Sequence, residues 1–423
     1  MKPRHLIPLI IITLTACATY SQHMAKVSNE LTQGNSEAAL KLLEKAPSAT
    51  SDENKVLYLM ERGMLKYLSQ QFTDAAKDWN LAHEHSEKLY TVSLSKTALS
   101  LVASENSTDY DGEDHEKVLL PIFSALSYFA DGSLPKAMVE IRKTYQLINR
   151  LKLDEEKASV KIDGLPYFIS GLLYESSREW DSAIIEYKKA INRYKDSTLS
   201  DEKDTMQMVA ESLWRIAEFR RRDDILKFLV NAGFKKPSDT LIERNKNAEV
   251  LLVVEEGQSP IKKSRNFGIN LTSSVINIAF PQYERISNPK TKHEVFCDNE
   301  RCGQTNVSSD IETLAIDSLE RRRITYFAKM TARLLIKEKL RETARKHLGQ
   351  IGGLAVMAAN FATERADTRS WTLLPANIQV ARISVPANKS TTIKLDHSSP
   401  IQGQTWTVKL GAGAKKLIRI RYF

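Results

Sequence analysis

The sequence predicts an all-α array of stacked helix pairs followed by an α+β domain, behind a short leader. Three observations carry this. Amphipathic helical periodicity dominates from Met24 to about Lys246, with few strand signals. After the charged stretch IERNKNAE the pattern changes to short apolar runs and period-two alternation. An opening apolar run, Leu6 to Ala16, stops at Cys17. The expected divisions are 1–16 for the leader, 17–246 for the helical array and 247–423 for the α+β domain.

The leader reads MKPRHLIPLIIITLTACATY. Its apolar centre is too short to cross a bilayer, which takes about 20 residues, and Pro8 interrupts it. Lys2 and Arg4 ahead of the apolar run, and small residues behind it, make a secretory signal. Leu14-Thr15-Ala16-Cys17 resembles the lipobox of bacterial lipoproteins. The resemblance implies cleavage before Cys17 and a diacylglycerol on its thiol. An anchor of two or three acyl chains such as palmitate is durable where one is marginal. Ala18 stands where aspartate marks inner-membrane retention, so the implied address is the periplasmic face of the outer membrane.

The chain has 423 residues, 42% hydrophobic and 27% charged, the balance of an ordinary globular protein. Its net charge of +9 suits a solvated basic surface or anionic envelope components; a secreted chain seldom meets nucleic acid, and none is expected as a partner. Besides Cys17 there are two cysteines, in FCDNERCGQ. Cys297 and Cys302 flank a polar stretch and are expected to pair in an oxidising compartment. Zinc with His293 as third ligand is the rival reading, and it lacks a clear fourth ligand.

The array is read from repeats. In YFISGLLYESSREWDSAIIEYKKAINRY, Tyr167, Gly171, Tyr174, Trp180, Ala183, Tyr187 and Ala190 resemble the packing positions of a tetratricopeptide (TPR) repeat. Small residues let two antiparallel helices approach, and aromatics fill the space around them. Gly63, Phe72, Ala75, Trp79 and Ala82 keep the same offsets, as do Tyr128, Gly132, Leu134, Ala137 and Ile141, and Gly34, Ala39, Leu43 and Ala46. The intervals between Ala39, Ala75, Ala137 and Ala183 are unequal, so insertions break the regular period of about 34 residues. One insertion, SENSTDYDGEDHE from Ser104 to Glu116, is expected to be a solvated loop. Trp79, Trp180 and Tyr187 are expected in the core. Stacked helix pairs offer a concave groove for a protein partner.

In the second part, EVLLVVEE (Glu249–Glu256) reads as a buried strand, and SVINIAFP as a strand with Ile276, Ile278 and Phe280 on one face. Residues from about Ser309 to Glu364 read as helices, with Ser308, Ser309 or Asp310 as start signals; RRRITYFAKMTARLLIKEKLR within them is amphipathic and basic. TWTVKL and KLIRIRYF alternate as strands, and GAGA between them reads as a hairpin turn. In ADTRSW, Asp367 and Arg369 are expected to pair and pin a helix-to-strand junction with Trp371 packed beneath, the alternative being that they line a ligand site.

QSPIKK, INIAFPQY, ADTRSWTLLPANIQVARI and AMVEIRK, the last around Glu140 and Arg142, resemble segments of an uncharacterised family of proteobacterial lipoproteins. Members couple a TPR-like half to this C-terminal domain. The resemblance implies a setting beside lipoproteins that stimulate cell-wall synthases.

No nucleophile elbow, zincin helix or phosphate loop occurs. His83 and His85 are two apart on a helix and do not face one another. The expectation is therefore a non-catalytic scaffold without cofactor or metal: an outer-membrane lipoprotein held by Cys17, with a protein partner on the TPR groove. The alternative is a cell-wall glycan-binding protein or enzyme with its site in the C-terminal domain.

Overall fold

A computed structural model of the chain describes residues 16–46, 49–95, 109–153, 162–195, 202–271, 274–286, 290–323, 339, 342–343, 345–347, 366–396 and 405–423. The helical half comprises α1 (Ala16–Thr32), α2 (Ser36–Glu44), α3 (Lys55–Leu68), α4 (Phe72–Ser95), α5 (Asp114–Ala130), α6 (Leu134–Leu153), α7 (Leu165–Ser176), α8 (Trp180–Lys195), α9 (Glu202–Phe219), α10 (Asp223–Asn231) and a single closing turn, α11 (Leu241–Arg244). The leader, apart from its last residue Ala16, lies outside the described residues, and Cys17 is the second residue of α1.

The first ten helices pair as five hairpins that turn alike. Between the two helices of each stands one left-handed residue, Gly34, Gln70, Gly132, Arg178 or Arg221, with φ between 54° and 81°. The N–H that follows it bonds back into the first helix: Asn35 to Glu30, Gln71 to Lys66, Ser133 to Tyr128, Glu179 to Tyr174, Arg222 to Ala217. This is the Schellman closure, which satisfies carbonyls at a helix end and reverses the chain. The fifth hairpin, α9–α10, escapes the sequence reading because Leu226 stands where the others carry alanine.

Packing within the hairpins follows residue size. A Cβ on Gly63 would lie 2.4 Å from the Trp79 indole, and one on Gly171 would lie 2.5 Å from the Tyr187 ring. Ala75, Ala137, Ala183 and Ala190 are wholly buried. Gly132 and Gly34 do not pack between helices; both are turn residues. Buried Ala125 takes the helix contact instead, at the interval from Ala137 that separates Gly63 from Ala75. Trp180 is half-buried rather than core, because it opens α8 at the array's edge, where it meets Phe219 edge-on with centroids 5.7 Å apart.

The second part contains β1 (Ala248–Glu256), β2 (Ile261–Leu271), β3 (Ser274–Glu284), β4 (Glu294–Cys297), β5 (Glu300–Gln304), β6 (Asn306–Asp310), helix α12 (311–323), β7 (Asn377–Val385), β8 (Ser390–Leu395), β9 (Thr405–Lys409) and β10 (Lys415–Tyr422). Asp310 starts α12 by accepting the Thr313 N–H at 3.0 Å. The basic amphipathic stretch beyond Arg323, apart from Lys339, lies outside the described residues. One sheet has the order β10-β1-β7-β6, with β10 parallel to β1; a second is β5-β4-β8-β9; β2 and β3 pair with each other. The β4–β5 turn uses Asp298 and Asn299, both with positive φ, as a two-residue hairpin loop requires, and the Cys297 and Cys302 sulfurs are bonded across it.

GAGA is not a hairpin turn. β9 pairs with β8 and β10 with β1, so the turn carries the chain from one sheet to the other. Alternation predicts strands but not their partners, and the partner of β10 is far away in sequence.

The β1 strand explains the layering. Leu251 and Val253 join the core of the helical array, whereas Val250, Leu252 and Val254 face the second sheet with Val295, Ile393 and Val408. The first sheet is thus buried on both faces, which is why EVLLVVEE is a continuous apolar run. The boundary near residue 247 falls between α11 and β1, yet the two halves share one core.

Candidate functional site

The first helix of each hairpin faces the C-terminal half, so the face expected to hold a partner is covered by this chain's own strands and by residues 366–376. Three of the bonded clusters along the seam show how it is built.

The first grips the irregular segment before β7. Glu61 of α3 accepts the Thr372 N–H at 2.7 Å and the Leu373 N–H at 3.1 Å. Glu116 of α5 accepts the Trp371 N–H at 2.7 Å, the Tyr110 hydroxyl at 2.6 Å and the Glu113 N–H at 2.9 Å. The Trp371 ring lies 6.0 Å from Trp79 and 5.8 Å from Phe123. Arg369 and Asp367 form the expected pair at 2.7 Å, and Arg369 extends it to Asn54 at 3.0 Å, so the pair pins the segment to the array. Lys262 of β2 bonds Glu113 and donates to the Arg369 carbonyl at 2.9 Å, while Arg322 of α12 bonds Glu113 and Asp114.

This corrects the reading of SENSTDYDGEDHE from Tyr110 on; Ser104 to Thr108 lie outside the described residues. Tyr110 and Glu113 to Glu116 are buried, and Asp114 opens α5. A run of carboxylates looks solvated when its counter-charges lie far along the chain. QSPIKK, Tyr283 and ADTRSW meet here: Lys262 lies 5.6 Å over the Tyr283 ring.

The second cluster centres on Arg382 of β7. It bonds Glu175 of α7 and Glu249 of β1, each at 2.7 Å, and donates to Ser212 of α9. Lys415 of β10 bridges the same two carboxylates at 2.5 and 2.6 Å, and the Tyr187 hydroxyl donates to Glu175. The third cluster covers the edge strand β6. The Tyr194 hydroxyl donates to the Ser308 carbonyl at 2.9 Å, the Thr205 hydroxyl to the Val307 carbonyl at 2.7 Å, and Ser309 bonds Asp163. An edge so capped cannot recruit a further strand.

Burial sets the electrostatics. It lifts the Glu61 carboxyl to about 8, outweighing the donors from Thr372 and Leu373. Burial, with Glu113 beside it, lifts Glu116 to about 7, and burial lifts Asp163 to about 7. Burial opposes charge on Glu113 too, but Lys262 and Arg322 prevail and hold it low. Perturbed carboxyls mark catalytic sites in open clefts. Here the carboxyls are closed over and committed to backbone N–H groups and cations of the other half, an arrangement whose chemistry is to hold a polypeptide segment.

The remaining candidates separate. His293 is buried against Glu256 at 3.2 Å and stacked on Tyr422, away from the bonded cysteines. Among the described residues no group of three or more His, Cys, Asp or Glu side chains could hold a metal ion, and no helix is long and apolar enough to cross a membrane. Among the described residues, clefts open along the seam at two places. One of about 350 Å³ lies between α1, the β1–β2 turn and residues 368–372. The other, of about 300 Å³, lies where the turns of the third and fourth hairpins meet residues 412–413.

No family model matches the chain, and no curated protein does. Among solved structures the chain is similar to the apo form of RapI, at 13% identity and a TM-score of 0.38, over 52% of this chain and 54% of that one. It thus spans about half of the RapI chain. It is also similar to BtubC from P. vanneervenii, at 12% identity and 0.35 over 53% and 85%, and to MamA, at 18% and 0.29 over 49% and 91%. The TPR-like assignment of the helical half rests on its own five hairpins.

Proposed function

We propose that this chain is a non-catalytic, lipid-anchored interaction protein, held through Cys17 to the periplasmic face of the outer membrane, where it serves cell-envelope or cell-wall assembly through a protein partner. One observation carries the reading: the acids and bases along the seam are spent on joining the two halves, so the array acts as a clamp and not as a reaction vessel. The Leu14-Thr15-Ala16-Cys17 motif supports the anchor. The partner engages a surface other than the covered inner face. Leu81, Val139, Tyr145 and Ile185, on the second helices of three hairpins, are exposed and supply apolar contact.

The test pairs anchoring with capture. Cys17→Ser should leave an uncleaved or soluble chain, and photo-crosslinkers at Leu81, Val139 and Ile185 in intact cells should trap one protein repeatedly. A Cys17→Ser chain that still carries acyl groups, or crosslinks to no protein at any position, would overturn the reading.

A second reading, binding of cell-wall glycan, is favoured by the cleft beside α1. It is lined by Tyr20, Ser28, Asn29, Gln258, Ser370 and Thr372 among others, without a charged side chain. The Tyr20 hydroxyl is buried there beside the Thr372 side chain. Neutral donors and acceptors around Met24 and Ile261 suit a sugar's hydroxyls and C–H face. Saturable binding of an N-acetylglucosamine oligomer, lost in Asn29→Ala, would support it; no binding at millimolar sugar would reject it.

A further inference from the structure

We infer that the cleft between the third and fourth hairpin turns binds an acidic peptide segment of a partner protein. The inference deepens the adaptor reading and rests on it. Two features of the walls select the ligand.

The first is charge. Arg178 and Lys415 line the cleft, and its one carboxylate belongs to Glu175. Glu175 has no acceptor to spare: one oxygen takes Arg382 and Lys415, the other takes Arg382 and the Tyr187 hydroxyl. Lys415 spends two of its three N–H groups, on Glu175 and Glu249, which leaves one for the cleft. Arg178 is exposed at the mouth, and no ion pair involves it among the described residues. With Glu175 fully engaged, the charge left to the cleft is positive, so the complementary ligand brings carboxylates.

The second is shape and apolar surface. Phe129, Leu134 and half-buried Trp180 give ring and aliphatic walls between the two cations. A volume of about 300 Å³ is at the small end of ligand pockets and suits a few residues of an extended chain. An apolar side chain flanked by Asp or Glu satisfies both walls at once. The position fits as well. Gly132 and Arg178 are equivalent turn residues of adjacent hairpins, so the cleft opens at the rim of the array, where residues 412–415 of the C-terminal half form its other wall.

The experiment uses the mature chain and two synthetic pentapeptides with blocked ends, Gly-Asp-Leu-Asp-Gly and its neutral analogue Gly-Asn-Leu-Asn-Gly. The readouts are the ¹⁵N-indole resonance of Trp180 and calorimetric affinity. Arg178→Gly is the diagnostic variant, because glycine keeps the left-handed turn; thermal melting confirms that the fold is retained. The aspartate peptide should move the Trp180 resonance, and either Arg178→Gly or the neutral peptide should weaken binding roughly tenfold, the scale of one charge-assisted hydrogen bond. Equal affinity for both peptides, no effect of Arg178→Gly, or no change at Trp180 would overturn the site. If the peptide binds as expected but crosslinking in cells traps no protein, the adaptor reading fails and the cleft stands; the converse removes the cleft alone.

Discussion

The Glu61 carboxylate receives the backbone N–H of Thr372 at 2.7 Å, joining the second hairpin of the array to the segment that feeds β7. Neither residue announces the other in the sequence.

Burial of that carboxyl, which outweighs the hydrogen bonds it receives, makes stability depend on pH in a stated direction. A carboxyl held at about 8 in the folded chain, against 4.5 for an ordinary glutamate, keeps its proton in the folded state over that window. The folded chain then binds more protons than the unfolded one, so stability is full below about pH 4.5 and falls as pH rises toward 8. Glu116 and Asp163 act in the same sense up to about 7. Glu113, held low, acts oppositely and loses its contribution in acid. Denaturant melts between pH 5 and 8 should show a decline on the order of 1.4 kcal/mol per pH unit for each such proton. Glu61→Gln, which mimics the neutral form, should remove that one proton's share of the slope and leave the share of Glu116 and Asp163. A rising profile would refute the assignment.

Arg382 should be the least replaceable cation. Arg382→Met leaves Glu175 and Glu249 buried with only Lys415 and Arg244 to offset them. Removing one partner of a buried ionic cluster costs on the order of 3–5 kcal/mol. Urea unfolding should give that loss, and Arg382→Lys should recover only part of it because the two-pronged geometry is gone.

Ala183→Trp would overpack α7 against α8 and cost on the order of 1–3 kcal/mol or more. In an isolated solenoid such damage would stay with neighbouring repeats. Here Leu251, Trp371 and Leu417 belong to the array's core, so calorimetry should show one transition moving to lower temperature. A second transition, unmoved and owned by the C-terminal strands, would contradict a shared core.

Reduction of Cys297–Cys302 should matter little. The closed loop is short, so the loss should be roughly 2–3 kcal/mol or less. Non-reducing peptide mapping should find the two joined; free thiols or a stoichiometric zinc ion would overturn the pairing.

Much of the architecture is legible without coordinates. Gly63 opposite Trp79 and Gly171 opposite Tyr187 are size rules acting between helices joined by a tight turn, so they repeat at fixed offsets. Alternation in TWTVKL and KLIRIRYF marks strands because a strand's two faces meet different surroundings; Val408 and Ile420 are buried as that reading requires. These signals are local, and a sequence displays local physics directly.

The seam was not legible. Glu61 with Thr372, Glu175 with Arg382 and Tyr194 with Ser308 join residues from opposite halves of the chain. A carboxylate destined for a buried N–H looks the same as one destined for water, which is why Tyr110 to Glu116 reads as a solvated loop. By itself the sequence determined a helix-hairpin array, a strand-rich second part and the residues on which each packs. Only the tertiary structure decided that the second part fills the array's inner face and forms one wall of the cleft at its rim, because that depends on which distant charges and hydroxyls meet once both halves are buried together.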